Sequence, residues 1–172
     1  VQTGDLISSA STYVGGFAGY CATINISNSY NTKNVSGVTY VGGLVGQSGN
    51  ATISASYTRG NVYASTGGTA YAGGLVGVAT QTDIQNSYAT GNTTSPGYYV
   101  GGLVGSNGYS ASNKILNSYA TGNVDGLYYV GGLIGSTYGG TISTSYASGN
   151  VIARSLISSY ENSVTDNRSY AG

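Results

Sequence analysis

The chain has 172 residues, five basic and five acidic, with a formal net charge of zero. That balance excludes the single-sign field by which proteins hold nucleic acid or an anionic membrane surface. One cysteine and no histidine exclude an internal disulfide, the usual zinc sets and a serine–histidine catalytic pair.

Thirty glycines and eighteen tyrosines stand far above ordinary usage. Gly-rich polar chains are often disordered, but here the apolar residues recur on a schedule, which argues for order. No apolar run of about 18 residues and no signal peptide is present. Methionine is absent, so the sequence reads as a processed or excised chain, with any targeting segment or anchor outside it.

Residues 1–12 read as a partial repeat and joining segment. Thr3-Gly4-Asp5-Leu6 resembles the tail of a phrase that returns as Thr121-Gly122-Asn123-Val124. Residues 13–151 then hold five repeats, each with two phrases. The first, at its cleanest, is Tyr99-Val100-Gly101-Gly102-Leu103-Val104-Gly105. Its opening tyrosine recurs at Tyr13, Tyr40, Tyr71, Tyr99 and Tyr129, at spacings of 27, 31, 28 and 30 residues. The second phrase, here Asn117-Ser118-Tyr119-Ala120-Thr121-Gly122-Asn123-Val124, carries Tyr30, Tyr57, Tyr88, Tyr119 and Tyr146.

Length changes fall between phrases, at segments such as 47–52, 63–70 and 93–98, which are expected to be loops. Glycine at fixed places, such as Gly42, Gly43 and Gly46, implies close backbone approach or positive φ. Ile26, Ile53, Ile84, Ile115 and Ile142 lie four residues before the second tyrosine. An even separation puts isoleucine and tyrosine on one strand face, with Ser29, Ser56, Ser87, Ser118 and Ser145 on the other. Both tyrosine columns are therefore expected in the core, hydroxyls at the rim. Asn34, Asn61, Asn92, Asn123 and Asn150 follow as turn residues.

Residues 152–172 hold a degenerate repeat that joins or caps. Leu156-Ile157-Ser158-Ser159-Tyr160 and Asn167-Arg168-Ser169-Tyr170 are broken versions of the second phrase. Two readings stand for this end: it abuts the N-terminal segment of a next subunit, or the chain is a piece of a longer array.

Gly, Ser, Thr, Asn and β-branched residues dominate, and no 3.6-residue apolar period runs for three turns, so helix is a poor alternative. The expected fold is all-β: a β-solenoid of about five coils of 27–31 residues, identical residues stacked ~4.8 Å apart. The alternative is a β-meander or sandwich of hairpins closed by Gly-Asn turns.

Chemistry finds little footing. Lys33 and Lys114 sit in no serine–lysine motif. Asp5, Asp83, Asp125, Glu161 and Asp166 occupy unrelated repeat positions, so no recurrent carboxylate pair exists. The glycine order matches neither a phosphate loop nor a dinucleotide fingerprint. The expectation is a non-catalytic chain with no cofactor, no metal, no nucleic-acid partner and no membrane insertion.

Candidate surface contacts are the tyrosines outside the two columns: Tyr20, Tyr63, Tyr98, Tyr109, Tyr128 and Tyr138. Candidate glycosylation sites are the Asn-x-Ser/Thr sequons at Asn25, Asn34, Asn50, Asn92 and Asn167. Cys21 falls at a variable loop position and reads as incidental.

The paired phrases, Tyr-Val-Gly-Gly-Leu-Val-Gly and Ile-x-Asn-Ser-Tyr-Ala-Thr-Gly-Asn-Val, resemble the GLUG-motif repeats over residues 13–151. Such repeats occur in large secreted and surface-anchored microbial proteins, including adhesins and stalk regions of immunoglobulin A1 peptidases. The resemblance implies an extracellular, repetitive, non-catalytic segment and brings no catalytic residues. Phe17-Ala18 and Asn31-Thr32-Lys33 depart from the pattern, as does everything after Val151, which points to a capping or joining role for the ends. The expected function is a structural subunit or segment of a filament, stalk or surface layer that associates with itself end to end. The alternative is an adhesin module that binds glycans or a host surface through exposed Tyr and Asn.

Overall fold

The computed structural model describes residues 4–8, 10–108, 112–154 and 170–171. These residues form a parallel β-solenoid of about five coils with no helix. Every strand pairing is parallel, which rules out the hairpin alternative.

Each coil visits four faces in turn. In coil two they are the strands Val35–Gly37, Tyr40–Gly42, Val45–Ser54 and Tyr57–Thr58. We call these the valine, Tyr-Gly, long and Tyr-Ala faces. The register repeats residue on like residue: Val62 on Val35, Tyr71 on Tyr40, Ile84 on Ile53 and Tyr88 on Tyr57. In-register stacking lets every inward column become a continuous apolar ladder.

Two such ladders make the core. One holds Leu44, Ile53, Leu75, Ile84, Leu103 and Ile115, each 0% exposed. The other holds the valines of the first two faces, among them Val35, Val41, Val62 and Val100. Glycines separate them. A Cβ on Gly73 would lie 1.9 Å from the Val76 carbonyl oxygen, and one on Gly46 would lie 2.8 Å from that of Tyr40. The Tyr-Gly and long faces meet backbone to backbone there, and only glycine fits. These glycines lack positive φ, so they are required for space and not for conformation.

Three sequence expectations are corrected. Residues 47–52 are not a loop: they lie inside the ten-residue strand Val45–Ser54, as residues 78–83 do inside Val76–Gln85. Each strand carries one left-handed residue there, Asn50 or Gln81, both at φ 48°. Parts of the other two variable segments are also strand, at Val62–Ala64 and Thr93–Thr94.

Second, isoleucine and tyrosine do not share a face. Asn28, Ala55, Asn86, Asn117 and Thr144 all have φ between 47 and 51°. Each makes a corner between the long and Tyr-Ala faces, and the alternation rule holds only within one strand. Isoleucine therefore points in, tyrosine points out, and the serine between them turns in: Ser56, Ser87 and Ser118 are at most 1% exposed.

Third, Cys21 is not in a loop. It lies on the strand Ala18–Ala22, 8% exposed and beside the first core ladder, where burial raises its thiol pKa.

Candidate interaction surface

The second correction moves both tyrosine columns outside. Tyr40, Tyr71, Tyr99 and Tyr129 are half-buried rather than core, and so are Tyr57, Tyr88 and Tyr119. Their burial comes from each other. Successive rings stack at centroid distances of 4.7–5.0 Å in the first column and 4.8–5.2 Å in the second, with planes within 7°. That spacing is the distance between neighbouring strands. The solenoid thus carries two flat aromatic stripes. Arg59 lies 5.1 Å from the Tyr57 ring centroid, and the neighbouring Tyr88 hydroxyl, then the Tyr57 phenol, hold its guanidinium above the ordinary range. Burial, then the neighbouring phenols of Tyr88 and Tyr146, push the Tyr119 hydroxyl pKa up.

Polar ladders bind the coils on either side. The backbone N–H of Asn61, Asn92, Asn123 and Asn150 each donates to Oδ1 of the asparagine one coil earlier, at 2.8–3.0 Å. Asp5 plays that part for Asn34, at 3.1 Å. At the corner the direction reverses: Ser29, Ser56, Ser87 and Ser118 donate their N–H to the serine Oγ one coil later, at 3.1–3.2 Å. Each of those acceptor hydroxyls in turn donates to the carbonyl two residues before it. Sequence reading placed these serines outside; their fixed place before every second-phrase tyrosine was the available signal.

The first-copy Asn31 keeps a bond that Thr58 makes one coil later, where its hydroxyl donates to the Gly74 carbonyl at 2.7 Å. Asn31 occupies the inward place held by Ala89 and Ala120 and donates to the carbonyls of Gly43 and Lys33, both at 2.9 Å. In coil four, Asn113 accepts from the Thr82 N–H at 2.7 Å and donates to the Asn107 carbonyl at 3.1 Å. It bridges the place where that coil is longer.

Of the candidate contacts, Tyr20, Tyr63 and Tyr138 are exposed. Tyr98 and Tyr128 are half-buried and pack edge to face at 4.7 Å. Tyr109 lies outside the described residues. Of the sequons, Asn25, Asn34, Asn50 and Asn92 are exposed, and Asn167 lies outside the described residues. Asn25 and Asn50 line a polar cleft of about 370 Å³ with the Lys114–Asp83 ion pair, 3.6 Å long. Asp125 is bonded to Arg154. Among the described residues no three of His, Cys, Asp and Glu gather to hold a metal.

The ends differ from the middle. Ile142 is 48% exposed and Tyr146 56%, while at the other end Phe17 is 57% and Tyr30 61% exposed. Among the described residues, the first ladder ends in coil five beside a cleft of about 540 Å³ lined by Leu133 and Ile142.

The geometry defines a repeat protein of the parallel β-solenoid class. Within that class, the chain carries the GLUG motif, whose family model matches residues 68–94 and 126–152, in coils three and five. No curated protein and no solved structure matches the chain.

Proposed function

We propose that the chain is a non-catalytic structural segment of the cell exterior, a solenoid unit of a filament, stalk or surface layer that associates end to end. The observation that carries this reading is the uniform in-register stack of parallel coils, like residue on like residue. A coil buries its ladder only against another coil, and an open strand edge is a template for one. The near-uncharged surface supports association, since little repulsion opposes it. The GLUG motif supports the extracellular setting through the resemblance above. Electron microscopy and sedimentation of native material test it. Axial growth with concentration is the expected result, and monodisperse monomers at high concentration would count against it.

A second reading, an adhesin module that binds glycans, is favoured by the exposure of Tyr20, Tyr63 and Tyr138. Flat aromatic rings beside polar groups suit sugar faces. A glycan array with a Tyr20→Ala, Tyr63→Ala, Tyr138→Ala variant separates the two readings. Binding lost in the variant supports the module, and no binding by either protein removes it.

A further inference from the structure

Elsewhere on the solenoid, polar side chains use their bonding capacity on the next coil: the asparagine and serine ladders each accept a backbone N–H at every step. The long face is different. Its strand carries a left-handed residue near the middle, Asn50 in coil two and Gln81 in coil three, at equivalent places between the pairs Gly49–Thr80 and Ala51–Thr82. In coil one the same place, Thr23 at φ 56°, breaks the strand into Ala18–Ala22 and Asn25–Ser27. Stacking brings these bends together beside a cleft of about 370 Å³ that crosses four coils.

One wall of the cleft is a column in register, Asn25 on Thr52 on Asp83 on Lys114. The other carries Asn50 and Gln81. Three strand spacings make the column about 14 Å long. The volume falls in the range of small-ligand sites, roughly 300–1,000 Å³.

The chemistry of the lining is narrow. Asn25, Asn50 and Gln81 are exposed and Thr52 is half-buried. Among the described residues, none of these four side chains bonds to another group of the protein. Each amide offers two donors and an acceptor, and the hydroxyl offers both kinds. Asp83 and Lys114 pair at 3.6 Å, so the cleft holds both signs and no net charge. The Asp83 carboxylate keeps lone pairs for further donors. Among the described residues, no aromatic or large aliphatic side chain lines the cleft.

These features select a ligand class. An anion drawn to Lys114 meets Asp83, and a cation drawn to Asp83 meets Lys114. An extended peptide needs a free strand edge or pockets for its side chains. Here the strands are paired on both sides, and the lining offers no apolar pocket. A chain of uncharged hydroxyl groups, each donor and acceptor at once, matches the lining.

We propose that this cleft binds a neutral oligosaccharide lying along the solenoid axis. The Asn25, Asn50 and Gln81 amides, the Thr52 hydroxyl and the Asp83 carboxylate take its hydroxyls. The proposal rests on the adhesin reading for its biological setting, and gives that reading a site that contains none of its tyrosines.

The test uses the 172-residue chain made in a host that adds no N-glycans, so that Asn25 and Asn50 are bare. Cellohexaose, maltohexaose and mannohexaose are titrated in, with their monosaccharides, and hexagalacturonate serves as the charged control. Binding is followed by the side-chain amide resonances. At least one neutral hexasaccharide should shift Asn25, Asn50 and Gln81 saturably, and bind at least about tenfold more tightly than its monosaccharide, since it bonds to more of the column. Asp83→Ala should weaken that binding at least about tenfold, because a charged acceptor is lost. Gln81→Ala should weaken it about threefold or more. Unchanged urea midpoints show that these surface variants fold. The Tyr20→Ala, Tyr63→Ala, Tyr138→Ala variant should bind as the parent does. Absence of binding by all three neutral hexasaccharides, tighter binding of hexagalacturonate, or full binding by Asp83→Ala would overturn the proposal. Binding lost in the tyrosine variant and kept in Asp83→Ala would overturn the cleft and leave the adhesin reading standing. Binding weakened by Asp83→Ala alone supports the cleft and removes those tyrosines from that reading.

Discussion

Coils three and five carry nearly the same phrases and both match the GLUG motif, yet their interiors differ. Ile84 is 0% exposed and Ile142 48%; Leu75 is fully buried and Leu133 half-buried. The residues do not decide this. In a solenoid each coil covers only the one below it, so the burial of a side chain depends on the coil that follows. The same substitution should therefore cost differently by position, and that difference measures how much one coil gives another.

The largest effect is expected at the glycine waist. Gly73→Val would drive side-chain atoms into the Val76 carbonyl, where even a Cβ falls at 1.9 Å. The loss should exceed about 4 kcal/mol, enough to unfold many domains. Gly67, in the turn of the same repeat, has open space for 4 Å around the place a Cβ would take, and no positive φ. Gly67→Ala should stay within about 0.5 kcal/mol of the parent. Urea unfolding of the two variants would show the waist idea to be wrong if they proved alike.

Next comes the core ladder itself. Ile84→Ala removes a fully buried side chain between two others and should cost about 2–5 kcal/mol. Ile142→Ala in the open coil should cost below about 1 kcal/mol, since half its surface is already in water. Equal costs in thermal or urea unfolding would mean that coil five is covered in solution.

The serine ladder should give a smaller contrast. Ser87→Ala leaves the buried Ser56 N–H without its acceptor and should cost about 1–3 kcal/mol. Ser87→Thr keeps the hydroxyl and should recover part of that loss. If alanine and threonine behave alike at Ser87, the hydroxyl is not what joins the coils.

How much of this was legible in the sequence follows from where alternation holds. The glycine waist and the Leu-Val core were readable because both lie inside one phrase, with fixed residues at fixed offsets. The outward tyrosines were not. Counting four residues from Ile84 to Tyr88 gives one face, but Asn86 turns the chain at φ 50° between them. Asparagine at that place in three coils was a usable signal; Ala55 and Thr144 in the others concealed it. Cys21 was misplaced for a related reason. Its column varies as Ser48 and Ala79, which resembles a loop, yet it is an inward column that accepts any small side chain. That Tyr20, Tyr63 and Tyr138 are exposed was readable, because exposure at a variable polar position needs no knowledge of the corners.

The smallest effect concerns the tyrosine stripe, whose inner members are covered by neighbours on both sides. Tyr119 sits between Tyr88 and Tyr146, and partial burial followed by those two phenols raises its pKa. The sign follows from which state keeps the proton. Above the ordinary tyrosine range, near pH 10, the unfolded chain releases a proton that the folded stack retains. The unfolded state then binds fewer protons, so stability falls as pH rises. The contribution is complete below the ordinary value and is lost as pH climbs through the raised one. Tyr119→Phe keeps the ring in the stack and removes the titrating group. The difference in urea midpoint between parent and variant should be constant from pH 7 to about pH 9 and should shift in favour of phenylalanine above about pH 10. A difference that stays flat to about pH 11.5 would mean that the stacked phenols ionise as freely as isolated ones, and that the stripe is a looser surface than its ring spacings imply.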